Sequence, residues 1–382
     1  MKVLFTIPAI KGLTGPSIAA LNIAKGLAKV GVKVYVVTSD PPLVYAAWLR
    51  RLREAGVTIH KARGFKSSYL YWLSLTLKAL RVLLREGVDV VHTHTPKVCA
   101  LIGFLGKAFG RKVVLTLEGD PLEELKNSGL KGRVFGKATW WLSRRMVDAI
   151  CPCSRWLAKI VVNRFKDLKG KVVPVHNPVD FERFKRAKGG GVREGLGVKG
   201  LMVLTPARLD PVKGLNVLIK AARKVVMHVP STYFVIAGEG PLKEGLRRLA
   251  EELGVADKVI FAGFRGDVEE LTAACDVLVL PSIYEPFGMP VAEAGACRKP
   301  VVASDVGGLT EIVKHGVTGF TVPAGDHEAM AEALIKLLKD RGLRERMGYA
   351  GYRMVEESFT PEVIARKMLT VYANLKRPSR RY

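Results

Sequence analysis

Residues 276–293 read DVLVLPSIYEPFGMPVAE, and this stretch is the most informative part of the chain. The apolar run at 276–280 predicts a buried strand, and the segment that begins at Met289 predicts a helix. Glu285 lies in the turn and Glu293 lies about two turns into the helix. A strand followed by a helix predicts an α/β fold. Because the first N–H groups of a helix lack intrahelical partners, the turn between the two also predicts an anion site. A solvated acidic helix start is the alternative interpretation.

Short β-branched runs alternate with amphipathic segments along the whole chain, which is typical of βαβ units and parallel sheets. The first half predicts strands at 2–7, 33–38, 57–60, 88–92, 112–117, 149–152 and 171–175. Helices are predicted between them near 17–30, 44–55, 69–86, 97–108, 131–147 and 154–165. The second half predicts strands at 201–206, 232–237, 258–262, 276–280, 300–303 and 319–322, followed by a helical end.

With 382 residues, the chain is too long for one ordinary core and suits two domains. We predict a first domain over 1–182, a basic, glycine-rich surface linker over 183–199, and a second domain over 200–360. Both domains are expected to be Rossmann-like and doubly wound. Such folds bind ligands at the carboxyl ends of their strands, so we expect the two edges to face each other across a cleft.

The net charge of +26 is concentrated in the first half of the chain. Residues 1–180 carry 30 basic and 11 acidic side chains, and all five tryptophans also lie there. Basic side chains interleaved with tryptophan favour an anionic membrane surface or an anionic acceptor. Nucleic acid is the rival partner for a basic surface, but no helix-turn-helix, RNP-like or finger motif accompanies the charge.

Targeting and redox signals point to the cytoplasm. The N-terminal run at 1–8 is a short apolar strand without the features of a signal peptide, and no window approaches the ~20 apolar residues of a membrane span. The five cysteines are an odd number, and Cys151 and Cys153 are too close for a relaxed disulfide. We expect reduced, mostly buried thiols in a cytoplasmic protein, which could be peripheral on the inner face of the cell membrane.

The stretch from Glu285 to Glu293 resembles the E-x7-E signature of the GT-B fold glycosyltransferases of the retaining family 4 type, also called glycosyl transferases group 1. Further segments fit the same family, namely DVVHTH (89–94), VHNPVD (175–180), TPARLDPVKG (205–214), AGEGP (237–241), SDVGG (304–308) and GVTGF (316–320). The resemblance implies a GT-B architecture whose final helix, 361–376, crosses back to the first domain. It also implies transfer of a sugar from a UDP- or GDP-linked donor to a hydroxyl acceptor, with retention.

Sugar transfer must stabilise a departing diphosphate. The sequence contains no Asp-x-Asp triplet for a metal, so we expect no metal cofactor and fixed cations in its place. Arg208 can fork across two phosphate oxygens, and Lys213 supplies a compact charge just before a predicted helix. An ordinary pair of surface cations is the alternative, and the strand–turn–helix context favours phosphate binding.

The resemblance assigns roles to the remaining residues of the second domain. Glu285 is expected to bind hydroxyls of the donor sugar, and Glu293 is expected to bind the ribose. The other donor-binding candidates are Gly238, Phe287, Gly288, Met289, Val306 and Gly307. The candidate catalytic residues are Glu285, Arg208 and Lys213, together with His94 of the first domain. An ordinary loop is the alternative for Val306 and Gly307.

In the first domain, Gly15 follows the first strand and is a candidate contact to the donor phosphates. His92 is interpreted as a satisfied core histidine, whereas the resemblance places His94 at a strand end beside the donor sugar or the attacking hydroxyl. Glu118 stands where many relatives carry a histidine. Glu118 and Asp120 are candidate acceptor contacts, with a metal site or a helix cap at Asp120 as alternatives.

Other functions remain possible at this stage. A nucleotide-sugar epimerase shares the two-domain architecture and needs no acceptor. A non-catalytic protein that binds sugar nucleotides or nucleic acid is the other alternative, and the intact set of charged candidates argues against it. For a transferase, a membrane lipid or a growing glycan is the favoured acceptor because charge and tryptophan concentrate in the first domain, and a soluble sugar phosphate is the alternative.

Overall fold

The structure is a computed structural model that describes residues 1–7, 15–39, 46–64, 68–123 and 129–376. Its contacts divide the chain into two compact units. One unit comprises Met1–Pro178 together with Thr360–Tyr382, and the other comprises Val179–Phe359. Residues 8–14, including Thr14 just before Gly15, lie outside the described residues.

The first unit is built on a six-stranded parallel sheet with the order β3-β2-β1-β4-β5-β6. Its strands are β1 (Lys2–Ile7), β2 (Lys33–Ser39), β3 (Thr58–Ala62), β4 (Val90–Thr93), β5 (Lys112–Leu117) and β6 (Ala149–Pro152). The helices are α1 (Gly15–Lys29), α2 (Ala46–Glu54), α3 (Ser68–Glu86), α4 (Pro96–Val98), α5 (Phe104–Ala108), α6 (Leu130–Met146) and α7 (Arg155–Arg164). A π-helical turn, Cys99–Gly103, joins α4 to α5. The strands are almost continuously apolar because helices can cover both faces of a parallel sheet.

The second unit contains another six-stranded parallel sheet, with the order β12-β11-β10-β7-β8-β9. Its strands are β7 (Leu201–Pro206), β8 (Thr232–Ala237), β9 (Val259–Gly263), β10 (Val277–Leu280), β11 (Val301–Ser304) and β12 (Gly319–Val322). Its helices are α8 (Phe181–Arg186), α9 (Val192–Gly195), α10 (Leu215–His228), α11 (Lys243–Glu252), α12 (Val268–Ala274), α13 (Met289–Ala296), α14 (Leu309–Ile312), α15 (His327–Lys339) and α16 (Arg341–Ser358). The order in which the chain adds strands changes direction between the neighbouring strands β7 and β10. Doubly wound folds bind ligands at such switch points.

The last helix, α17 (Pro361–Lys376), belongs to the first unit, as the predicted crossing requires. It packs on α1 and contributes Ile364, Met368 and Tyr372 to the core around β1. The hydroxyl of the fully buried Tyr372 lies 2.6 Å from Nδ1 of His92 on β4. The C-terminal end of the chain therefore completes the core that its N-terminal end begins.

Two predicted segments differ from the structure. Residues 171–175 form no strand of the sheet and make an isolated bridge between Ile150 and Val172, with a further backbone bond from Val175 to Pro152, because Pro152 on β6 has no N–H to donate to the carbonyl of Val173. The predicted linker, 183–199, instead folds within the second unit. Its basic side chains are paired there, Arg183 with Glu269 and Arg193 with Asp276.

All five cysteines are free, and four of them are buried, as expected for reduced thiols. Burial raises the pKa of the Cys99 thiol to about 11. The thiol therefore stays protonated and unreactive near neutral pH.

Candidate active site

The turn between β10 and α13 is shaped by one glycine. Gly288 has φ +98° and caps α13, and a Cβ at this position would lie 2.4 Å from Cδ2 of Leu309. A side chain is therefore excluded both by the backbone conformation and by the contact. The turn carries Glu285 directly in front of the N-terminus of α13, where the helix dipole favours negative charge.

Lys213 and Glu285 are brought together by the loops after β7 and β10. The backbone N–H of Ile283 donates to the carbonyl of Val212 at 2.8 Å, which ties the two loops to each other. Lys213 Nζ then lies 2.8 Å from Glu285 Oε2, and Ser282 Oγ donates to the same oxygen at 3.2 Å. Both charged side chains are largely buried, so the pair is a defined feature of the second unit.

The backbone of Glu285 is held from the other side by the loop after β11. The N–H of Gly308 donates to the carbonyl of Glu285 at 2.9 Å. Gly307 has φ +56°, and a Cβ there would lie 2.1 Å from the same carbonyl oxygen. Gly307 and Gly308 therefore contact the backbone of Glu285 directly, and the partly exposed Val306 precedes them in the same loop.

Arg208 follows β7 and points into solvent. Its side chain is 79% exposed, and its Nε lies 3.3 Å from Oδ2 of Asp210. Gly238, which ends β8, packs so closely on this segment that a Cβ would lie 1.9 Å from the carbonyl oxygen of Ala207. The Arg208 loop is thus fixed at its backbone while the guanidinium remains available to an anion.

The other candidates on α13 have different surroundings. Phe287 is buried, with its ring 5.8 Å from that of Phe359, so its side chain belongs to the core. Met289 begins the helix and is half-buried. Glu293 is buried in the second turn of α13, and this burial raises its pKa to about 7. The charge of Arg183 lowers the pKa by a smaller amount, and the charge of Glu269 raises it further.

In the first unit, His92 and His94 are both buried but differ in their hydrogen bonds. His92 is fully buried, with Nδ1 at 2.6 Å from the Tyr372 hydroxyl and Nε2 at 2.8 Å from the Thr116 hydroxyl. Burial lowers its pKa well below the usual value, so it is a neutral core residue as interpreted from the sequence. His94 follows the end of β4 and stacks on the His92 ring at 4.8 Å.

The two acidic candidates after β5 are also unlike each other. Both oxygens of the buried Asp120 accept from Arg164 Nη1, at 2.9 and 2.7 Å, and Oδ1 also accepts from the N–H of Leu122. An acceptor hydroxyl at Asp120 would share or replace these bonds. Glu118 instead accepts from the Nδ2 of Asn177 and places Oε1 3.8 Å from His94 Nδ1.

Sequence reasoning assigned no role to two polar residues that the structure places in these groups. Ser282 supports Glu285, and Asn177 supports Glu118. Asn177 lies in the segment 175–180, and the resemblance of that segment to the family was the signal that could have identified it. Gly15 begins α1 and is exposed. Across the part of the chain that the structure describes, no group of three histidine, cysteine or acidic side chains could hold a metal ion.

Comparison with known proteins identifies the family. Residues 193–354 match the family model described as Glycosyl transferases group 1, and residues 14–183 match the one described as Glycosyltransferase Family 4. A Methanocaldococcus jannaschii protein named "uncharacterized glycosyltransferase MJ1607" is 30% identical over 96% of this chain and 95% of its own. The chain belongs to the family 4 glycosyltransferases.

Other members of the family match along the full length. The N-acetyl-alpha-D-glucosaminyl L-malate synthase of Bacillus anthracis is 28% identical and covers 99% of this chain and 98% of its own. The crystal structure of Anabaena Alr3699/HepE in complex with UDP and glucose has a TM-score of 0.80 and 22% identity. It covers 98% of this chain and 100% of its own. The likeness establishes the GT-B fold, with two Rossmann-like domains, for this glycosyltransferase.

Proposed function

We propose that this glycosyltransferase moves a sugar from a UDP- or GDP-linked donor to a hydroxyl acceptor, with retention and without a metal. The observation that carries the proposal is the ion pair between Lys213 and Glu285 in front of α13. A cation and a carboxylate in front of a helix N-terminus suit a donor that joins a diphosphate to a polyhydroxyl sugar. The UDP complexes of Anabaena HepE make UDP-glucose the first donor to test.

Each residue then has a role. Lys213 and Arg208 neutralise the diphosphate as it leaves, and Glu285 binds hydroxyls of the donor sugar. Glu293 binds the ribose, and the backbones at Gly238, Phe287, Gly288 and Met289 and at Val306 and Gly307 line the rest of the donor site. In the first unit, Gly15 approaches the phosphates, and His94, Glu118 and Asp120 serve the acceptor. The acceptor oxygen bonds to the anomeric carbon as the bond to the diphosphate breaks, and the leaving phosphate takes the hydroxyl proton.

An exposed, basic and apolar helical layer of the first unit supports a membrane-bound acceptor. Because the chain crosses the sheet in one direction from β3 to β4, β5 and β6, right-handed crossovers place α3, α4, α5 and α6 on the same face. In α6, Leu130, Val134, Phe135 and Trp141 are exposed. The helix contains five basic and no acidic residues, and the Arg145 guanidinium lies 4.0 Å from the centre of a Trp141 ring.

The same layer continues onto α3. Leu70, Leu73, Leu77 and Leu84 are exposed at spacings that put them on one side of the helix. Leu70, Leu73 and Leu77 border a groove of about 390 Å³ that is also lined by Lys61, Arg63, Lys78 and Arg81. Apolar side chains surrounded by cations suit the surface of an anionic membrane. We therefore propose a lipid or growing glycan at a cytoplasmic membrane face as the acceptor. No helix in the described ranges is long and apolar enough to cross a bilayer.

The experiment that tests the function is a set of thermal unfolding curves with UDP, GDP and their glucose and mannose derivatives, followed by assays of nucleotide release. A ligand that binds only the folded chain raises the unfolding temperature. We expect one base to stabilise the protein and its sugar derivative to be consumed, unaffected by EDTA. Formation of an epimer from the donor alone would favour an epimerase, and no stabilisation by any nucleotide would contradict the proposal.

A further inference from the structure

The first unit contains a cluster of buried polar atoms that have no hydrogen-bond partner within the described residues. They are Nδ1 and Nε2 of His94, Oε1 of Glu118 and Oδ1 of Asn177. Buried polar atoms are nearly always paired in folded proteins, so four orphans in three neighbouring side chains need an explanation. Nothing in the roles assigned above explains why Asn177 is part of the group.

The ring of His94 is fixed in its plane by stacking. Its centre lies 4.8 Å from the His92 ring, with 14° between the planes, and 5.6 Å from the Phe5 ring, with 27° between the planes. His92 is itself held at both nitrogens, and Phe5 is fully buried in β1. Stacking fixes the plane of the His94 ring but leaves open which of its two nitrogens carries the proton.

Glu118 is placed to make that choice. Asn177 holds one carboxylate oxygen, Oε2, and leaves Oε1 facing His94 Nδ1 at 3.8 Å. This distance is too long for a hydrogen bond and short enough that a small movement would form one. Hydrogen bonds of this kind are often long without substrate and tighten when it is bound.

We propose that Glu118 is a positioning residue that acts through His94. With substrate bound, Oε1 of Glu118 accepts a hydrogen bond from the protonated Nδ1 of His94, and Asn177 keeps the carboxylate in position. Nε2 of His94 is then unprotonated and holds the attacking hydroxyl of the acceptor by accepting its hydrogen bond, until that proton passes to the leaving phosphate during transfer. The His94 side chain is about 5% exposed and both of its nitrogens are buried, so this contact requires the side chain to move when substrate binds. The inference rests on the proposed function and specifies how its acceptor side is organised.

The tautomer of His94 is the direct test, and it needs no acceptor. The full chain, labelled with ¹⁵N-histidine and saturated with UDP-glucose, is compared with Glu118→Leu, Glu118→Gln and Asn177→Ala by NMR. We expect wild-type His94 to carry its proton on Nδ1. Glu118→Leu is expected to lose that preference, and Glu118→Gln, which keeps an acceptor oxygen, is expected to retain part of it.

Two controls distinguish a specific change in the His94 tautomer from a general change in the structure. His92, bonded at both nitrogens, serves as the internal signal and should not change. Asp148→Asn alters another partly buried carboxylate of the same sheet, which accepts from the N–H of Val113, and should leave His94 as in the wild type. An unchanged His94 tautomer in Glu118→Leu would overturn the proposal.

Kinetics give a second, independent test. We expect Glu118→Leu and His94→Phe each to lower the rate of UDP release from UDP-glucose about tenfold, and the double variant to be no slower than the slower single one. The affinity for UDP should stay within about twofold of the wild-type value because neither residue belongs to the second unit. Additive losses in the double variant would contradict coupling. If no uridine or guanosine nucleotide binds the wild type, the proposed function fails, while the tautomer still decides the role of Glu118.

Discussion

Lys213 and Glu285 form an ion pair whose two members would each contact the donor in the proposed reaction. Lys213 hydrogen-bonds a carboxylate that Ser282 also supports, so the cation is held at a fixed position beside the α13 N-terminus. Preorganised charge of this kind stabilises a developing anion without further reorganisation.

We expect Lys213→Ala to lower kcat/KM for donor consumption by about 100-fold or more, the loss typical of a single electrostatic contact to a developing anion. The substitution also leaves Glu285 without its cation, which increases repulsion toward the diphosphate. Lys224→Ala removes another lysine that is paired with glutamates of its own unit, Glu328 and Glu332, and should leave the rate unchanged. Equal rates for Lys213→Ala and wild type would exclude the assigned role.

Glu293 predicts a dependence of stability on pH. Burial raises its pKa from 4.5 to about 7, so the folded chain holds this proton more tightly than the unfolded chain. The stabilisation is therefore complete below about pH 4.5 and is lost as the pH rises through about 7. The full shift corresponds to about 3 kcal/mol. The free energy of unfolding of wild type relative to Glu293→Gln should fall by up to this amount between pH 4.5 and 8, as urea titrations can measure. A difference in the free energy of unfolding that stays constant over this pH range would contradict a buried, protonated Glu293 carboxyl.

At the scale of elements, the turn from β10 into α13 depends on Gly288. We expect Gly288→Ala to lower the free energy of unfolding by about 1–3 kcal/mol, because φ is positive and the new Cβ would meet Leu309. Affinity for UDP should fall as well, since the turn carries Glu285. Gly245→Ala, in the middle of α11 with open space around it, is the matched control and should stabilise the protein. Retention of both stability and affinity in Gly288→Ala would show that the turn tolerates a side chain.

The helical layer of α3 to α6 predicts where the protein meets a membrane. In co-sedimentation with vesicles of phosphatidylcholine and phosphatidylglycerol, we expect Phe135→Ser combined with Trp141→Ser to lower binding at least about tenfold. Binding should also weaken with added salt, since basic side chains supply part of it. Met227→Ser combined with Tyr349→Ser removes equally exposed apolar side chains from the second unit and should change nothing. If wild type fails to bind anionic vesicles at low salt, a soluble acceptor is favoured.

At the scale of the whole molecule, residues far apart in sequence complete each core. The hydrogen bond between Tyr372 and His92 joins positions separated by 280 residues and is fully buried. We expect Tyr372→Phe to destabilise the first unit by about 1–3 kcal/mol, since His92 Nδ1 would lose its partner. Thermal unfolding should show a lower transition temperature while UDP affinity remains unchanged. A drop in UDP affinity without loss of stability would contradict this division of roles.

The alternation of apolar runs and amphipathic segments was enough to predict most of the strands, their parallel pairing and two Rossmann-like domains. Local rules carry this information, because a strand buried on both faces must be apolar at every position. They failed at 171–175, where Pro152 on the neighbouring strand interrupts the ladder, and at 183–199, whose charges suggested a solvated linker. Arg183 and Arg193 have acidic partners 80 or more residues away, which no local pattern can reveal.

The order of residues in this chain is sufficient to predict its fold class, its family resemblance and the residue types of its site, because periodicity and motif spacing are local properties. The pairing of Lys213 with Glu285, the orphan nitrogens of His94 and the support of Glu118 by Asn177 required the folded structure. These contacts join loops that follow different strands, and parallel sheets bring such loops together only after long crossovers have folded. The same is true of the raised pKa of Glu293, since burial depends on everything packed around a side chain.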